Sequence, residues 1–444
     1  MSTIAIVGAG HVGVIYAAGL AELGHRIRVV DVNAKRIAGL REGKIWYYEP
    51  GLPELLERNI RRRRLTFTLS YAQAIDRANF VFVCVPTPAS AEGGLDDRFL
   101  RKAFEQIKEN VRRPAPIIVN KSTVPVGTGD SVERIFTASS MRVVSNPEFL
   151  AEGRGVEDFF HPTRIIIGSH DRVAAQAVAD LYSPLRAPVV FTAPVTAELS
   201  KLAANAFLAT KISFANVLSA IGQAVGADGD DLNRAISLDP RIGHGHLRAG
   251  LGFGGSCLPK DLAAMETLAR RFTGSSELFQ AVASINRAQR ARVIGHLTER
   301  MGFLASKRIA ILGASFKANT DDIRDSPALA LARELSELHA EVVVYDPIVN
   351  GELRVLARGW LGVSRSAQAA VRNADAVVVA TDWPEFSALD FKKVKQLMRG
   401  SVVVDGRGIL NPAAMASLGM DFFTFARGGD HSTPVAQPAA VATA

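Results

Sequence analysis

Short runs of apolar residues alternate along the chain with longer stretches in which apolar residues recur every three or four positions. Residues 4–7 predict a buried strand, 14–23 a helix and 27–30 a second strand, and further apolar strands follow at 80–86 and near 117 and 143. A later segment repeats the alternation, with strands at 308–313, 341–345, 374–380 and 402–404 and a helix at 327–339. Buried strands that alternate with helices are typical of parallel sheets. The pattern therefore predicts an α/β fold with two doubly wound domains.

Between these two domains, residues 196–225 are rich in Ala, Leu and Phe, contain no proline and predict one long helix. Glu198, Lys201 and Asn205 are spaced by three and four, so they share one face of it. They form either a solvated surface pair with a nearby Asn or a polar site whose desolvated lysine binds an oxyanion or tunes a proton transfer. A helix this long and apolar also indicates a spine covered by a second subunit.

Composition indicates a soluble globular protein. The 444 residues are 48% hydrophobic and 22% charged, enough for two or three domains. Two cysteines make no disulfide framework, which favours a reducing, cytoplasmic setting. The amino terminus enters the first strand without a signal-peptide pattern, and no stretch is predicted to be long and apolar enough to span a membrane.

The net charge of +8 favours anionic partners in general. The densest run of basic residues in the chain is Arg61–Arg64. This run indicates either a nucleic-acid contact or a solvated turn or helix end, and because no known binding module frames it, no nucleic-acid partner is expected. His244 and His246 lack further ligands at metal-binding spacing, so no metal is expected either.

The first predicted strand leads into a glycine-rich turn. Gly8, Gly10 and Gly13 form a GxGxxG pattern between a strand and a helix, and the next strand ends on Asp31. This is the context of a Rossmann-type dinucleotide site, in which glycines allow the tight turn and the helix start receives phosphate. An acidic residue there favours NAD over NADP, although Lys35 and Arg36 weaken that preference.

Polar residues follow three later strands. Thr87, Thr123 and Glu148 each stand at the predicted carboxyl end of an apolar strand, so they are expected to converge on one crevice, although ordinary turn chemistry explains any one of them. Cys84 lies within an apolar strand and is expected to be an inert core residue.

A second glycine-rich stretch carries the other cysteine. Gly252, Gly254 and Gly255 precede Cys257, and Lys260 follows before an apolar helical run. A thiol at the start of a helix and near a lysine has the setting of a nucleophile. The alternative is a turn that holds an incidental small residue.

The last domain lacks the dinucleotide fingerprint. Residues 313–316 read Gly-Ala-Ser-Phe, so this domain is expected to bind a nucleotide differently or only to pack. Lys317, Arg324 and Arg407 stand at predicted loop ends, where cations can meet phosphate. Residues 321–327 resemble a capped helix start, and residues beyond about 428 predict a disordered tail.

Taken together, several motifs resemble those of the UDP-glucose/GDP-mannose dehydrogenase family of nucleotide-sugar dehydrogenases. In chain order they are residues 8–13, 49–52, 85–88, 121–127, 146–153, 198–205, 254–261 and 320–324, and they cover roughly residues 1–425. The resemblance implies two Rossmann-like doubly wound domains joined by a long central helix. It divides the chain into an NAD-binding domain (1–195), a central dimerisation and active-site region (196–300), a UDP-binding domain (301–428) and a tail (429–444).

The resemblance also implies a reaction: oxidation of UDP-glucose at C6 to the acid by two NAD+, through a thiohemiacetal and a thioester on Cys257. It implies these catalytic residues: Cys257, Lys201, Asn205, Asp261, Glu148 and Thr123. The implied cofactor-binding residues are Gly8, Gly10, His11, Val12, Gly13, Asp31, Arg36, Thr87, Thr123, Glu152, Lys260 and Arg324. The implied substrate-binding residues are Glu148, Phe149, Leu150, Lys201, Asn205, Arg241, His246, Leu247, Arg248, Gly254, Lys317 and Arg407.

Two residues depart from the family pattern. His246 stands where an aromatic residue is usual, and Arg248 where a lysine is common. They leave other sugars open, namely GDP-mannose, UDP-galactose and UDP-N-acetyl sugars. A catalytically silent NAD or nucleotide-sugar binding regulator is the other alternative, and the presence of Cys257 and Lys201 argues against it. The expected partners are the UDP-sugar and a second copy in a homodimer.

Overall fold

A computed structural model describes residues 1–112, 114–136, 141–357 and 359–425. The predicted tail, 429–444, lies outside the described residues. The described residues form two compact units, one from residues 1–205 with 263–275 and the other from residues 206–262 with 276–425. The chain returns to the first unit at residues 263–275, and no local sequence pattern predicts this return.

The first unit is built on a sheet of eight described strands in the order β3-β2-β1-β4-β5-β6-β7-β8. All neighbouring pairs are parallel except β6 and β7. The order of the first six is that of a Rossmann sheet, as predicted. The strands are β1 (Thr3–Val7), β2 (Arg26–Val30), β3 (Leu65–Thr68), β4 (Phe80–Val83), β5 (Ile117–Asn120), β6 (Arg142–Ser145), β7 (Ile165–Gly168) and β8 (Val189–Thr192).

The helices of this part of the chain connect successive strands. They are α1 (His11–Glu22), α2 (Ala34–Arg41), α3 (Leu52–Arg61), α4 (Tyr71–Ile75), α5 (Arg98–Asn110), α6 (Thr128–Phe136), α7 (Gly155–Phe160) and α8 (Arg172–Leu181), with a 3₁₀ turn at Ser183–Leu185. Alternate side chains of β1 enter different cores, Ile4 and Ile6 on one face and Ala5 and Val7 on the other. Because both faces are covered, the strand reads as a continuous apolar run.

The second unit contains a sheet of six described strands in the order β11-β10-β9-β12-β13-β14, again the Rossmann order. Every neighbouring pair in it is parallel. The strands are β9 (Arg308–Leu312), β10 (Glu341–Tyr345), β11 (Gly362–Val363), β12 (Ala376–Val379), β13 (Val402–Asp405) and β14 (Asp421–Thr424). The prediction of two doubly wound sheets is therefore confirmed.

The remaining helices follow. They are α9 (Pro194–Val225), α10 (Gly229–Ser237), α11 (Leu258–Thr273), α12 (Glu277–Met301), α13 (Pro327–Glu337), α14 (Asn350–Leu356), α15 (Ala367–Val371), α16 (Pro384–Ser387), α17 (Phe391–Leu397) and α18 (Pro412–Ser417). The capped start of α13 is confirmed, because the Ser326 hydroxyl accepts from the Leu329 N–H and Pro327 occupies the first turn. The long helix predicted at 196–225 is α9, which has 32 residues.

Candidate active site

The turn between β1 and α1 has glycine where other residues do not fit. Gly8 has a φ of +99°, and a Cβ on it would lie 2.5 Å from the Cys84 carbonyl oxygen. A Cβ on Gly13 would lie 2.0 Å from the Gly8 carbonyl oxygen. A Cβ on Gly10 would meet nothing within 4 Å, so this glycine leaves open space at the first residue before α1. That space fits a pyrophosphate that approaches the backbone closely.

We expect replacement of Gly10 and of Gly8 to separate cofactor binding from folding. Gly10→Ala should leave the thermal midpoint unchanged and weaken NAD+ binding by about tenfold or more, because the added methyl group occupies only the pyrophosphate space. Gly8→Ala should cost more than about 1 kcal/mol of stability through its backbone clash. Calorimetric titration with NAD+ and thermal unfolding measure the two effects. A Gly10→Ala protein that binds NAD+ normally would contradict the assignment.

Two carboxylates hold this turn. Asp31, at the end of β2, accepts hydrogen bonds from the N–H groups of Ala9 (2.7 Å) and Asn33 (2.8 Å). Glu49 is buried and accepts from Gly153 N (2.9 Å), from Gly155 N (2.7 Å) and from the predicted cofactor residue His11, whose Nε2 lies 2.8 Å away. The sequence placed Glu49 in a motif that favours UDP-glucose but did not predict these contacts. Its role in this unit is to connect the dinucleotide turn to the loop that follows Glu148.

The predicted polar face of α9 is buried, so the alternative of a solvated surface pair is wrong. Glu198, Lys201 and Asn205 are 4%, 4% and 7% exposed. Lys201 Nζ lies 2.9 Å from Glu148 Oε1, and Glu148 Oε2 accepts from Leu150 N at 2.6 Å. The partner of Lys201 is therefore the carboxylate that follows β6, which the sequence placed at a strand end without pairing it.

Glu198, the acidic residue on this face of α9, accepts hydrogen bonds from donors of the first unit. Glu198 accepts from Gly127 N (2.8 Å), Gly129 N (2.6 Å) and Ser145 Oγ (3.1 Å). Burial raises its pKa, although these three donors oppose the rise. A helix spacing shows which residues share a face but not what faces them, and here Glu198 and Lys201 on that face bind different partners.

Burial alone would raise the pKa of Glu148, but the charge and hydrogen bond of Lys201, the Leu150 N–H and the Lys121 charge hold that pKa below its ordinary value. Glu148 is therefore ionised at neutral pH in this structure. An ionised carboxylate paired with an ammonium group can accept a proton from a nearby hydroxyl. The Thr87 hydroxyl donates to the Thr123 carbonyl in the same unit, so these two strand ends meet as predicted.

Lys121, which sequence reasoning missed, is buried beneath this cluster. Its ammonium group donates to the Asn146 carbonyl oxygen (2.9 Å) and to Asn146 Oδ1 (3.0 Å), and it lies 3.9 Å from the centre of the Tyr16 ring. Burial lowers the pKa of Lys121 to about 7. Because its folded pKa lies below its unfolded value, its contribution to the unfolding free energy rises with pH between about 7 and 10. A lone lysine at the end of an apolar strand was the available signal.

In the second unit, the glycine stretch before Cys257 is tightly packed. A Cβ on Gly254 would lie 2.2 Å from the Asp325 carbonyl oxygen, and one on Gly255, whose φ is +83°, would lie 2.9 Å from the Phe316 ring. Cys257 directly precedes α11, which confirms a thiol at the start of a helix. Its Sγ lies 3.6 Å from Ser256 Oγ. Lys260 Nζ lies 2.5 Å from Asp261 Oδ1, and Asp261 is 1% exposed.

We expect the two cysteines to react very differently in the native protein. Both are outside disulfides, but Cys84 is buried and burial raises its pKa to about 12, whereas Cys257 is only half-buried. Iodoacetamide at pH 7.5 should therefore alkylate one thiol per folded chain. Mass spectrometry should locate the label on Cys257, and Cys257→Ser should abolish native labelling. Labelling of Cys84 at a similar rate would show that this strand opens readily.

The predicted cations of the second unit have protein partners. Arg407 is half-buried and donates to the carbonyl oxygens of Ala380 (2.8 Å), Phe316 (2.8 Å) and Gly252 (3.3 Å). Arg324 forms a two-pronged pair with Asp322, with Nη2 2.7 Å from Oδ2. Arg241 pairs with Asp239 at 2.6 Å, and Arg248 donates to the Gly408 carbonyl oxygen at 2.5 Å. His246 has a φ of +64° and Leu247 is buried. Lys317 Nζ lies 5.4 Å from the centre of the Phe316 ring.

The turn of the second sheet is filled by its own carboxylate. Asp346, at the end of β10, is fully buried, and its Oδ2 accepts from Ala314 N (2.8 Å), Ser315 N (3.1 Å) and Trp383 Nε1 (3.3 Å). Asp31 stands at the matching strand end of the first sheet and is partly exposed. The second sheet therefore keeps the Rossmann layout without an open ribose carboxylate.

Three family models match successive parts of the chain. The NAD binding domain of the UDP-glucose/GDP-mannose dehydrogenase family matches residues 2–186, its central domain 195–288 and its UDP binding domain 310–412. The chain belongs to this family. It is an NAD-dependent oxidoreductase that acts on a UDP-sugar.

Named relatives of this family member cover nearly its full length. UDP-glucose 6-dehydrogenase TuaD of Bacillus subtilis is 39% identical over 96% of this chain and 94% of its own. UDP-glucose 6-dehydrogenase of Rhizobium meliloti is 39% identical over 96% and 99%. Among solved structures, a UDP-glucose dehydrogenase from Pyrobaculum islandicum has a TM-score of 0.89 and 37% identity over 96% of this chain and 98% of its own.

By length and composition, α9 is a helix that could cross a membrane, and it is the one such helix among the described residues. The prediction that no stretch has this character is therefore wrong. A core helix of a globular protein has the same properties. In the first unit, α9 buries Glu198 and Lys201 against polar partners, and the family's central domain begins in this helix.

Proposed function

We propose that this family member oxidises UDP-glucose at C6 to UDP-glucuronate with two NAD+, through covalent bonds to Cys257. The observation that carries the proposal is the position of Cys257, a half-buried thiol that directly precedes α11 after a glycine turn. A helix start favours the thiolate form of such a cysteine. The relatives named above as UDP-glucose 6-dehydrogenases support the choice of sugar.

NAD+, when bound, supplies the acceptor for one hydride in each of two oxidations. The glycines of the β1–α1 turn, with His11, Val12 and Asp31, would hold it, and the other proposed cofactor residues are Arg36, Thr87, Glu152, Lys260 and Arg324. One sugar alcohol, two NAD+ and one water give one carboxylate, two NADH and three protons, so the electrons balance over the two steps.

Each proposed catalytic residue has a separate task. Glu148, ionised beside Lys201, accepts the C6 hydroxyl proton in the first oxidation. The Cys257 thiolate then adds to the aldehyde carbon and forms a thiohemiacetal. Loss of the second hydride gives a thioester, and water cleaves it to the acid and the free thiol. The covalent link keeps the sugar on the protein between the two oxidations.

Four further residues complete the proposed chemistry. Lys201 and Asn205 stabilise the charge that develops on the C6 oxygen. Asp261 and Thr123 orient the water that cleaves the thioester. The substrate-binding residues are those of the loops around Phe149, Leu150, Arg241 and His246–Arg248, with Gly254, Lys317 and Arg407 at the nucleotide end.

Initial rates with UDP-glucose, UDP-galactose, a UDP-N-acetyl sugar and GDP-mannose test the substrate. We expect UDP-glucose to give the highest kcat/KM and two NADH per sugar. If a UDP-N-acetyl sugar turns over faster, the chemistry stands and His246 with Arg248 become the residues that set the sugar. If no nucleotide sugar yields NADH, the proposed reaction is wrong, and the silent nucleotide-binding alternative replaces it.

We also propose a homodimer through α9. From residue 207 onward this helix exposes Phe207 (64%), Phe214 (51%), Ile221 (53%) and Val225 (71%), and the first three are spaced seven residues apart. A repeat of seven places them along one side of the helix, where a second copy would cover them. The reducing setting suited to two free cysteines supports a cytoplasmic location.

We expect Phe207→Asp/Phe214→Asp to convert the dimer to a monomer, because two charges would then lie in an apolar interface. Light scattering after size-exclusion chromatography at micromolar concentration measures the mass. Phe303, which is 92% exposed and stands outside α9, supplies the control Phe303→Asp. A wild-type monomer, or equal dissociation in the control, would rule out this interface.

A further inference from the structure

An arginine-rich cavity lies in the first unit, at the opposite end of β1 from the dinucleotide turn. The amino ends of β1, β2 and β3 surround a cavity of about 430 Å³, lined by Met1, Thr3, Arg26, Ile27, Arg28, Arg62, Arg63, Arg64 and Thr66. We propose that this cavity binds a compact polyphosphate with two or more phosphoryl groups. Three of the lining arginines belong to the run Arg61–Arg64, which the oxidation of a UDP-sugar does not use.

The fold brings separate arginines to one place. Arg26 and Arg28 are alternate residues of β2, so their side chains lie on the same face of the sheet. Arg28 pairs with Thr66 in the parallel register, and the Ile27 N–H donates to the Arg64 carbonyl at 2.7 Å. The run after α3 is thereby fixed against the start of β2.

The backbone of Arg63 and the guanidinium group of Arg28 are each held in a defined conformation. Arg63 has a φ of +54°, a conformation that residues other than glycine seldom adopt, so the turn after α3 is sharply bent. Arg28 Nη1 donates to the carbonyl oxygens of Asp76 (2.6 Å) and Gln73 (3.2 Å), which holds its guanidinium group in place. Such prior ordering lowers the entropy cost of binding an anion.

The positive charge of the cavity is poorly neutralised. Five of the nine lining residues are arginines and none is Asp or Glu. Arg62 shares Glu22 with Arg58, at 3.5 Å and 3.1 Å respectively. No ion pair joins Arg26, Arg63 or Arg64 to a carboxylate in the part of the chain that the structure describes. Guanidinium groups that line one cavity with few counter-charges favour a multiply charged anion.

The cavity is distinct from the NAD phosphate site. β1 runs from Thr3 at this edge to Val7, and the glycine turn follows its other end. At about 3.3 Å per residue, the two sites are on the order of 13 Å apart along the strand. No aromatic residue lines the cavity, so it offers no surface on which a base can stack, and this favours a polyphosphate over single-stranded nucleic acid.

Isothermal titration with sodium tripolyphosphate tests the site. The titration is made with saturating NAD+ and UDP present, so that both catalytic phosphate sites are filled. We expect one tripolyphosphate per chain, a Kd below about 1 mM at 50 mM NaCl and clear weakening at 200 mM NaCl, because exposed charge pairs are screened by salt. Inorganic phosphate should bind at least tenfold more weakly.

A double variant and a matched control define the site. Arg26→Ser/Arg63→Asn should weaken tripolyphosphate binding at least tenfold; both side chains are exposed, and asparagine tolerates the positive φ. Arg26→Ser alone should lower it severalfold if the double variant does not fold. Arg61→Ser is the control, because Arg61 belongs to the same run, pairs with Glu57 and does not line the cavity.

Several results would overturn the proposal. They are no binding of tripolyphosphate once NAD+ and UDP are present, and equal weakening by Arg61→Ser, which would mean non-specific attraction to net charge. A third is tighter binding of a short single-stranded RNA with the same dependence on Arg26 and Arg63, which would make the surface a nucleic-acid site. NADH production measured in parallel is independent of all three results, so a failure here leaves the proposed oxidation standing.

Discussion

Cys257→Ser should lower the rate of UDP-glucuronate formation by a factor of about 10³ or more, because a serine hydroxyl is a far weaker nucleophile than a thiolate at neutral pH. The same variant should still bind NAD+ and UDP-glucose with affinities near those of the wild type. Absorbance of NADH over time, with the product identified by mass spectrometry, measures the effect. We expect the wild type to form two NADH per sugar and the variant to fail to complete the second oxidation.

Cys84→Ala provides the matched control for the nucleophile. Cys84 is 6% exposed within the core of the first sheet, and its substitution removes the other thiol without touching the proposed chemistry. This variant should keep the wild-type NADH yield and rate. If Cys257→Ser turns over as fast as the wild type, the covalent mechanism is wrong, whatever the sugar.

Lys201→Met should lower the free energy of unfolding by about 3–5 kcal/mol at pH 7, because it removes the hydrogen-bonded counter-charge of the buried Glu148 carboxylate. Glu148→Gln should also lower stability, since it removes the ion pair of the buried Lys201 ammonium group. The double variant Lys201→Met/Glu148→Gln should recover part of the loss, because neither charge is then left alone. All three variants should lose at least about 10² in kcat. Urea unfolding followed by circular dichroism measures the stabilities.

An exposed ion pair of the same kind supplies the control. Lys44 Nζ lies 2.8 Å from Glu42, with side chains 75% and 62% exposed, and Lys44→Met should produce no measurable change in stability.

The direction in which pH changes the contribution of the Glu148–Lys201 pair to stability also follows from the fold. Because the pKa of Glu148 is lowered in the fold, the contribution of the pair is complete at pH 7 and is lost only as pH falls below the ordinary carboxyl range. Additive losses of stability in Lys201→Met/Glu148→Gln would mean that Lys201 and Glu148 act independently.

Local pattern predicted the layout of this protein well because both sheets are buried on each face. Apolar strands, the glycine turn before α1 and the position of Cys257 before α11 all follow from residues close together in the chain. The partners of buried charges do not. Spacing on α9 brought Glu198 next to Lys201, yet the ammonium group pairs with Glu148 from another part of the chain. Only the tertiary fold decides such a choice.

Two other features of the first unit could not be predicted from the sequence for a similar reason. Glu49 binds donors more than 100 positions along the chain, at Gly153 and Gly155, and no periodicity reports a contact of that range. Lys121 appeared as one lysine after an apolar strand, and its lowered pKa arises from burial that several elements of the first unit create together. The individual roles proposed for the site residues remain predictions.

The self-filled turn of the second sheet has a kinetic consequence. Asp346 Oδ2 already accepts hydrogen bonds from Ala314, Ser315 and Trp383, so this sheet does not offer a second dinucleotide turn. In the proposed two-step oxidation, one chain would then release NADH and admit a fresh NAD+ while the sugar is half oxidised. The residence time of the sugar on the protein must therefore exceed that of the spent cofactor. A dissociation rate for NADH that is faster than that of the sugar intermediate becomes a requirement for complete turnover.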